Sequence, residues 1–295
     1  MSENLPVEVV AYIFRAAAED TFWTDIRTAL NIVESCTIGY LSAIPVIYHT
    51  ISINDSSELI ERIFRTDVRG TGVLSRTPAE RLCPLVKTLY VYDSEFSTPE
   101  LILQLSNLAT LYCYDALNLE QHPQSLRHYH ALQFYPDHMP PTSVSHLSFY
   151  LSFNNGEEKD VLRHSDTFLP HTVTHAAVEL NERLDASDER RVRKLIRYLL
   201  SRNTTAPVFL RLYGFANEQF SHKVVYCAIH GLDTLEDRQR VLLWLDTRPV
   251  VPPTGDTDLS RRDAYNGTTP WTEGLAVSEE ELQAAVKELG MPQFI

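Results

Sequence analysis

The side chains that could do chemistry in this 295-residue chain are eleven histidines, fourteen tyrosines, four cysteines and a run of arginines. Their spacing decides what chemistry is open to them. His171 and His175 stand four apart, the separation at which a helix presents two imidazoles to one zinc ion. Pro170 and the β-branched Thr172, Val173 and Thr174 favour a strand instead, and the glutamate of H-E-x-x-H is missing. Gly70-Thr71-Gly72 lacks the third glycine of a dinucleotide fingerprint and follows no strand, so it reads as a loop. There is no G-x-S-x-G elbow and no phosphate loop. Cys36, Cys83, Cys113 and Cys227 form no C-x-x-C pair, and they read as buried thiols rather than disulfides or zinc ligands. The expectation is a protein that is not an enzyme, with no cofactor and no metal, whose chemistry is recognition.

Charge narrows the partners. Twenty-six basic residues against 39 acidic give a net charge of −13, which repels phosphate backbones, so no nucleic acid is expected. The basic run Arg190, Arg191, Arg193, Lys194, Arg197 and Arg202 surrounds an apolar stripe of Val192, Leu195, Ile196 and Leu199 and reads as the solvated face of one helix. Ten glycines are about half the ordinary usage of ~7%, which disfavours folds that cradle nucleotides in glycine-rich turns. No segment approaches the ~20 apolar residues that cross a bilayer, and the opening MSENLPVEVV lacks a basic region followed by an apolar core. No membrane partner is expected, and the localisation expected is cytoplasmic, nuclear or both. The sequons at Asn54, Asn203 and Asn266 then carry no weight.

The elements that must position the tyrosines and histidines come in two kinds. Residues 1–45 read as three helices. Leu5-Pro6 opens the first, with Val9, Val10, Ile13, Phe14 and Ala17 at helical spacing; the second carries Ile26, Ala29, Leu30 and Val33; the third runs from Thr37 to Ala43 and stops near Pro45. From residue 46 to 248 a pattern of apolar, two others, apolar, one other, apolar recurs. It appears at Tyr48/Ile51/Ile53, Val86/Leu89/Val91, Leu108/Leu111/Cys113, Leu126/Tyr129/Ala131, Val144/Leu147/Phe149, Val173/Ala176/Val178, Phe209/Leu212/Gly214 and Val224/Cys227/Ile229.

The last two apolar positions of each unit lie on one face of a short strand. Helical patterns intervene: one capped by Asp55, one opened by Thr98-Pro99, one capped by Asp185 or Ser187, and one capped by Thr234 and carrying Val241, Leu242, Leu243 and Leu245. Strand, turn, helix and strand build a parallel sheet with crossovers, so the fold class expected is α/β, a helical bundle followed by a curved repeat solenoid. Residues 249–295 read as a Pro- and Thr-rich strap and a final helix signed by Ser278, Glu281 and Gly290.

LPVEVVAYIF and NIVESCTIGYLSAIPVIYHTISI resemble an F-box-like segment, and LCPLVKTLYVYD, VSHLSFYLSF and VTHAAVEL resemble the irregular repeats of F-box/leucine-rich-repeat proteins, the large fungal groups in particular. The resemblance implies a substrate-recognition subunit of a cullin-RING ubiquitin ligase. The bundle would dock on the small adaptor subunit through Leu5, Pro6, Val9 and Ile13, and the repeats would hold a client protein. The stretch 32–38 lacks the Trp and the basic residue that the family carries there. A second reading follows, in which the bundle only caps the end of the repeats and the chain is a partner-binding scaffold without a role in ubiquitination.

If the Leu89-like positions face the core, their alternates face the concave surface. That places Tyr90, Tyr92, Tyr112, Tyr114, His128, His130, His146, Tyr150, His175, Arg211 and Tyr213 in a ladder of aromatic, imidazole and cationic groups suited to gripping a protein. The competing expectation is that these side chains fill the inside of the curve or lie under the C-terminal tail.

Overall fold

A computed structural model of the chain describes residues 5–22, 26–53, 82–91, 99–115, 122–133, 140–151, 153, 159, 169, 172–180, 184–202, 206–213, 219–246 and 270–290. They form a mixed α/β fold with an open sheet whose nine strands follow one another in chain order, parallel in the pairings resolved from β1 to β2 and from β4 to β8, with an antiparallel β9 at the end. The chain divides into two compact units, residues 1–111 with 122–125 and 256–266, and residues 112–121 with 126–255 and 267–295.

In the first unit, α1 (Val7–Phe22), α2 (Ile26–Ser35) and α3 (Thr37–His49) pack on one another. Ala18, Ala29 and Ala43 are fully buried, and Val33 and Ile44 nearly so. Small side chains let helix axes approach until backbones nearly touch. Gly39 marks the limit: a Cβ there would lie 2.3 Å from the Ile32 carbonyl oxygen. Cys36 is exposed and caps α3, its sulfur accepting the Gly39 amide at 3.3 Å, which corrects the expectation of a buried thiol; Cys83, Cys113 and Cys227 are buried. A helix N-cap needs an acceptor, and sulfur supplies one.

The third helix does not stop near Pro45. It runs through that residue to His49, so the boundary expected at residue 45 falls inside α3. A proline in a helix interior costs about 3 kcal/mol. Burial of Val46 and Tyr48 beyond it recovers roughly 1.5–3 kcal/mol per side chain, which offsets the loss.

Strand β1 (Thr50–Ile53) then pairs with β2 (Thr88–Val91), with Ile51 beside Leu89. Helix α4 (Pro99–Gln104) buries Ile102, followed by Leu105 and Leu108. The helix expected after Asp55 lies outside the described residues. The next strand, β3 (Thr110–Asp115), keeps the expected pattern with Leu111 and Cys113 buried.

The second unit contains β4 (His128–Gln133), β5 (His146–Tyr150), β6 (His175–Leu180), β7 (Val208–Tyr213) and β8 (Val241–Asp246). One face carries Leu147 and Phe149, Ala176 and Val178, Val208 and Leu210, and Val241 and Leu243 in register, all buried. Helix α5 (Glu189–Arg202) follows β6 and buries Val192, Leu195, Ile196, Leu199 and Leu200, the stripe its spacing predicts.

Two expected elements exchange identity. The segment around Val224, Cys227 and Ile229 is helix α6 (Gln219–His230), not a strand, and Val241 to Asp246 is strand β8, not a helix; Thr234 caps only the short α7 (Leu235–Gln239). In the first case Val224, Cys227 and Ile229 have the repeat's spacing, while Val224, Val225, Cys227 and Ala228 have a helical one. In the second, an unbroken apolar run of four to eight residues has no period to separate strand from helix.

The chain returns through α8 (Pro270–Glu273) and β9 (Leu275–Ala276) to α9 (Glu279–Glu288). The capping box of Ser278 and Glu281 is formed, and Gly290 takes the left-handed conformation with φ of 63° after the helix. Leu282, Ala285 and Val286 are buried, the latter two against Cys227 and Tyr226 of α6, so the last helix docks on that neighbour.

Candidate recognition face

Strand register builds the face opposite the core in the second unit. His128, His146 and His175 are direct neighbours across β4, β5 and β6 and form one row. Their imidazoles stack, with centroids 4.4 Å and 4.2 Å apart and planes within 1° and 6° of parallel. A second row holds His130, Ser148, Ala177 and Phe209, and Tyr112 of β3 stacks on His130 at 4.0 Å. A third row holds Tyr150, Glu179, Arg211 and Trp244.

Hydrogen bonds fix the imidazole tautomers. Ser148 donates its hydroxyl proton to Glu179 Oε1 at 3.0 Å, so the 2.7 Å contact between Ser148 Oγ and His130 Nδ1 is donated by the ring. Thr174 likewise donates to the Ser145 carbonyl and accepts from His175 Nδ1 at 2.9 Å. The Nδ1 of His146 lies 2.9 Å from Ser145 Oγ. In its neutral form a ring that donates through Nδ1–H keeps Nε2 as an acceptor.

Burial enforces that neutrality. It is the main cause depressing all four imidazoles, with the neighbouring rings adding to it for His128, His130 and His146. His146, between two other histidines, is brought to about 4. Arg211 lies 3.9 Å from Glu179 and places its guanidinium over the Trp244 ring, 3.9 Å from the centroid.

The expected ladder is thus present in part. His128, His146, His175, Tyr112 and Tyr150 are half-buried on this face, and His130 is buried in it. Arg211 keeps the expected face but aligns with Glu179, not with His175. The unit read as Phe209/Leu212 actually aligns Val208 and Leu210 with Ala176 and Val178. That is a slip of an even number of residues, which moves a side chain along a face without turning it over. Tyr90 corrects the expectation: it lies in the first unit and is 2% exposed, because β2 is covered on both faces. Tyr92 lies outside the described residues, as do the side chains of Tyr114 and Tyr213, which belong to β3 and β7.

The residue that sequence reasoning missed is Trp271 on α8. Its indole lies 5.1 Å from His146, 6.5 Å from His128, 6.3 Å from His175 and 5.2 Å from Phe209, each time steeply inclined to the ring it meets. Both faces of His146 are occupied by its neighbours, so the indole meets the edge of the stack. The tail-covering expectation is therefore realised at the centre of the ladder. Glu179 follows by strand alternation from Ala177, Trp244 was hidden because Val241 to Leu245 read as a helix, and nothing in the local sequence marks Trp271.

The predicted adaptor residues lie in the first unit. Leu5 is 60% exposed, Val9 40% and Ile13 50%, and Tyr12, 72% exposed, lies beside them. Pro6 is exposed too, and its carbonyl accepts the amides of Val9 and Val10 to start α1. The other side of α1, through Ala18, faces the bundle. No group of histidine, cysteine and carboxylate side chains that could hold a metal occurs among the described residues. No described helix is long and apolar enough to cross a membrane. No protein-family model, curated protein or solved structure matches the chain.

Proposed function

We propose that this chain is a substrate-recognition subunit of a cullin-RING ubiquitin ligase. In this reading α1–α3 form an F-box-like bundle that docks on the small adaptor, and the strands from β1 onward are irregular leucine-rich repeats that hold a client protein. The observation that carries it is the set of apolar side chains left exposed, Leu5 just before α1 and Val9, Tyr12 and Ile13 on it, while Ala18, Ala29 and Ala43 are buried in the bundle. A contiguous apolar stripe on the surface of a helix marks an interaction site. A bundle serving only to seal the end of the repeats would turn Leu5, Pro6 and Val9 inward, so their exposure supports docking over sealing.

The test is a pulldown of purified chain with the adaptor subunit. Wild type is expected to bind, and Leu5→Asp/Pro6→Asp to lose binding at least tenfold with an unchanged melting profile, since both residues are exposed. Failure of the folded wild type to bind ends the ligase reading and leaves the partner-binding scaffold.

A further inference from the structure

We infer that the edge of the histidine stack is a seat for an aromatic side chain bearing a hydrogen-bond donor, presented by a partner protein, and that Trp271 fills it as an internal stand-in. The partner is a client in the sense of the function proposed above, and the seat rests on that reading only for this identity.

The seat is built by two rows. His128, His146 and His175 present the distal edges of three stacked rings, and Phe209 closes one side 5.2 Å from the indole. Such a surface grips a flat apolar ring and offers it acceptors, because the neutral rings that donate through Nδ1 keep a lone pair at Nε2. His130 shows this most clearly. It is 3% exposed, its Nδ1 is engaged by Ser148, and its Nε2 meets no partner. A buried acceptor left empty is costly, and so is a buried donor.

Trp271 answers half of this description. Its indole centroid lies 6.3 Å from that of His130, yet its own buried Nε1–H finds no acceptor. A donor and an acceptor stand close together in one cluster, both unmatched. The indole fills the seat by shape without making the bond the seat offers. A side chain that fills the same space and donates to an imidazole is the better occupant, and tyrosine has both properties.

Trp271 is carried by short elements. It sits on the four-residue α8, which packs on β6, β7 and β8 and continues into the two-residue β9, paired to β8 through Leu242 with Ala276 and Leu243 with Leu275. Leu275 is 73% exposed. The helix that follows, α9, is anchored independently on α6, so α8 can leave the seat while the tail stays docked.

The test uses the full chain and two small probes, N-acetyltyrosinamide and N-acetylphenylalaninamide, followed by NMR at the imidazole protons of His128, His146 and His175. In Trp271→Ala the tyrosine probe is expected to shift these signals with at least tenfold higher affinity than in wild type, and to bind more tightly than the phenylalanine probe. Adding His146→Ala to that variant should remove the effect. Trp271→Phe, which deletes the unmatched N–H, is expected to melt at or above wild type. If Trp271→Ala folds and the imidazole signals do not respond to either probe, the seat is refuted. If Trp271→Ala fails to fold and Trp271→Phe melts well below wild type, the indole is a core residue and the proposal is equally overturned. None of these results depends on adaptor binding, so the two readings fail separately.

Discussion

The imidazoles of His128 and His146 lie 4.4 Å apart with planes within 1° of parallel, and His175 continues the stack at 4.2 Å. Charged rings at this separation would repel, so the arrangement requires neutral imidazoles, and burial among the other rings keeps them so. A pH dependence follows. The unfolded chain protonates its histidines near pH 6.5, whereas the folded His146 resists until about pH 4. Between those values the unfolded state binds more protons, so stability is complete above pH 6.5 and falls as the pH drops towards 4. For His146 the fall from 6.5 to about 4 sets an upper bound of roughly 3 kcal/mol, which solvent screening at this half-buried ring reduces to about 2 kcal/mol. Urea unfolding at pH 7.5 and pH 4.5 is expected to show this loss in wild type and a loss smaller by about 2 kcal/mol in His146→Gln. Equal losses in the two proteins would mean that the stack does not hold His146 neutral.

Gly39 makes a second prediction, on packing alone. Its missing Cβ would stand 2.3 Å from the Ile32 carbonyl oxygen and 2.7 Å from Ser35 Oγ. The first is backbone and cannot swing aside, so Gly39→Ala must push α3 away from α2. Overpacking of this kind costs about 1–3 kcal/mol. Gly39→Ala is expected to lower the melting temperature, and the neighbouring exposed Leu41→Ala to leave it nearly unchanged. If the two variants melt alike, the close approach of α2 and α3 is not what stabilises the bundle.

The parts of this structure that were legible in the sequence are those whose period admits one reading. Leu111 and Cys113, Leu147 and Phe149, and Ala176 and Val178 are buried as the repeat predicts. The alignment of His128, His146 and His175 follows directly, because alternation assigns their face and the repeat assigns their row. Legibility ends where one pattern serves two structures. Val224, Cys227 and Ile229 fit a repeat strand while Val224, Val225, Cys227 and Ala228 fit a helix, and Val241 to Leu245 satisfy a strand and a buried helix. Pro45 reads locally as a stop, but burial of the residues beyond it overrides the local cost. Tyr90 and Trp271 were beyond reach for a different reason. Whether an outward-facing residue stays exposed depends on what distant segment covers it, and no local spacing encodes that.

The row Tyr150, Glu179, Arg211 and Trp244 carries the last prediction. Glu179 is 7% exposed, accepts the Ser148 hydroxyl at 3.0 Å and faces Arg211 at 3.9 Å. Arg211 in turn lies over Trp244, so one carboxylate sets the positions of His130 through Ser148 and of the indole through the guanidinium. Replacing it separates charge from hydrogen bonding. Glu179→Gln keeps an oxygen for Ser148 and removes only the charge facing Arg211. Glu179→Ala removes both the charge facing Arg211 and the acceptor of the Ser148 hydroxyl, and loss of a buried hydrogen bond to a charged group costs about 1.5–3 kcal/mol. Denaturant unfolding is expected to rank wild type above Glu179→Gln and Glu179→Ala well below both. In Glu179→Ala the His130 imidazole signal should also broaden or move, because Ser148 is then free to turn its proton towards the ring and switch the tautomer. Equal stability of the Gln and Ala variants, with an unmoved His130 signal, would show that Glu179 neither pairs with Arg211 nor orients Ser148.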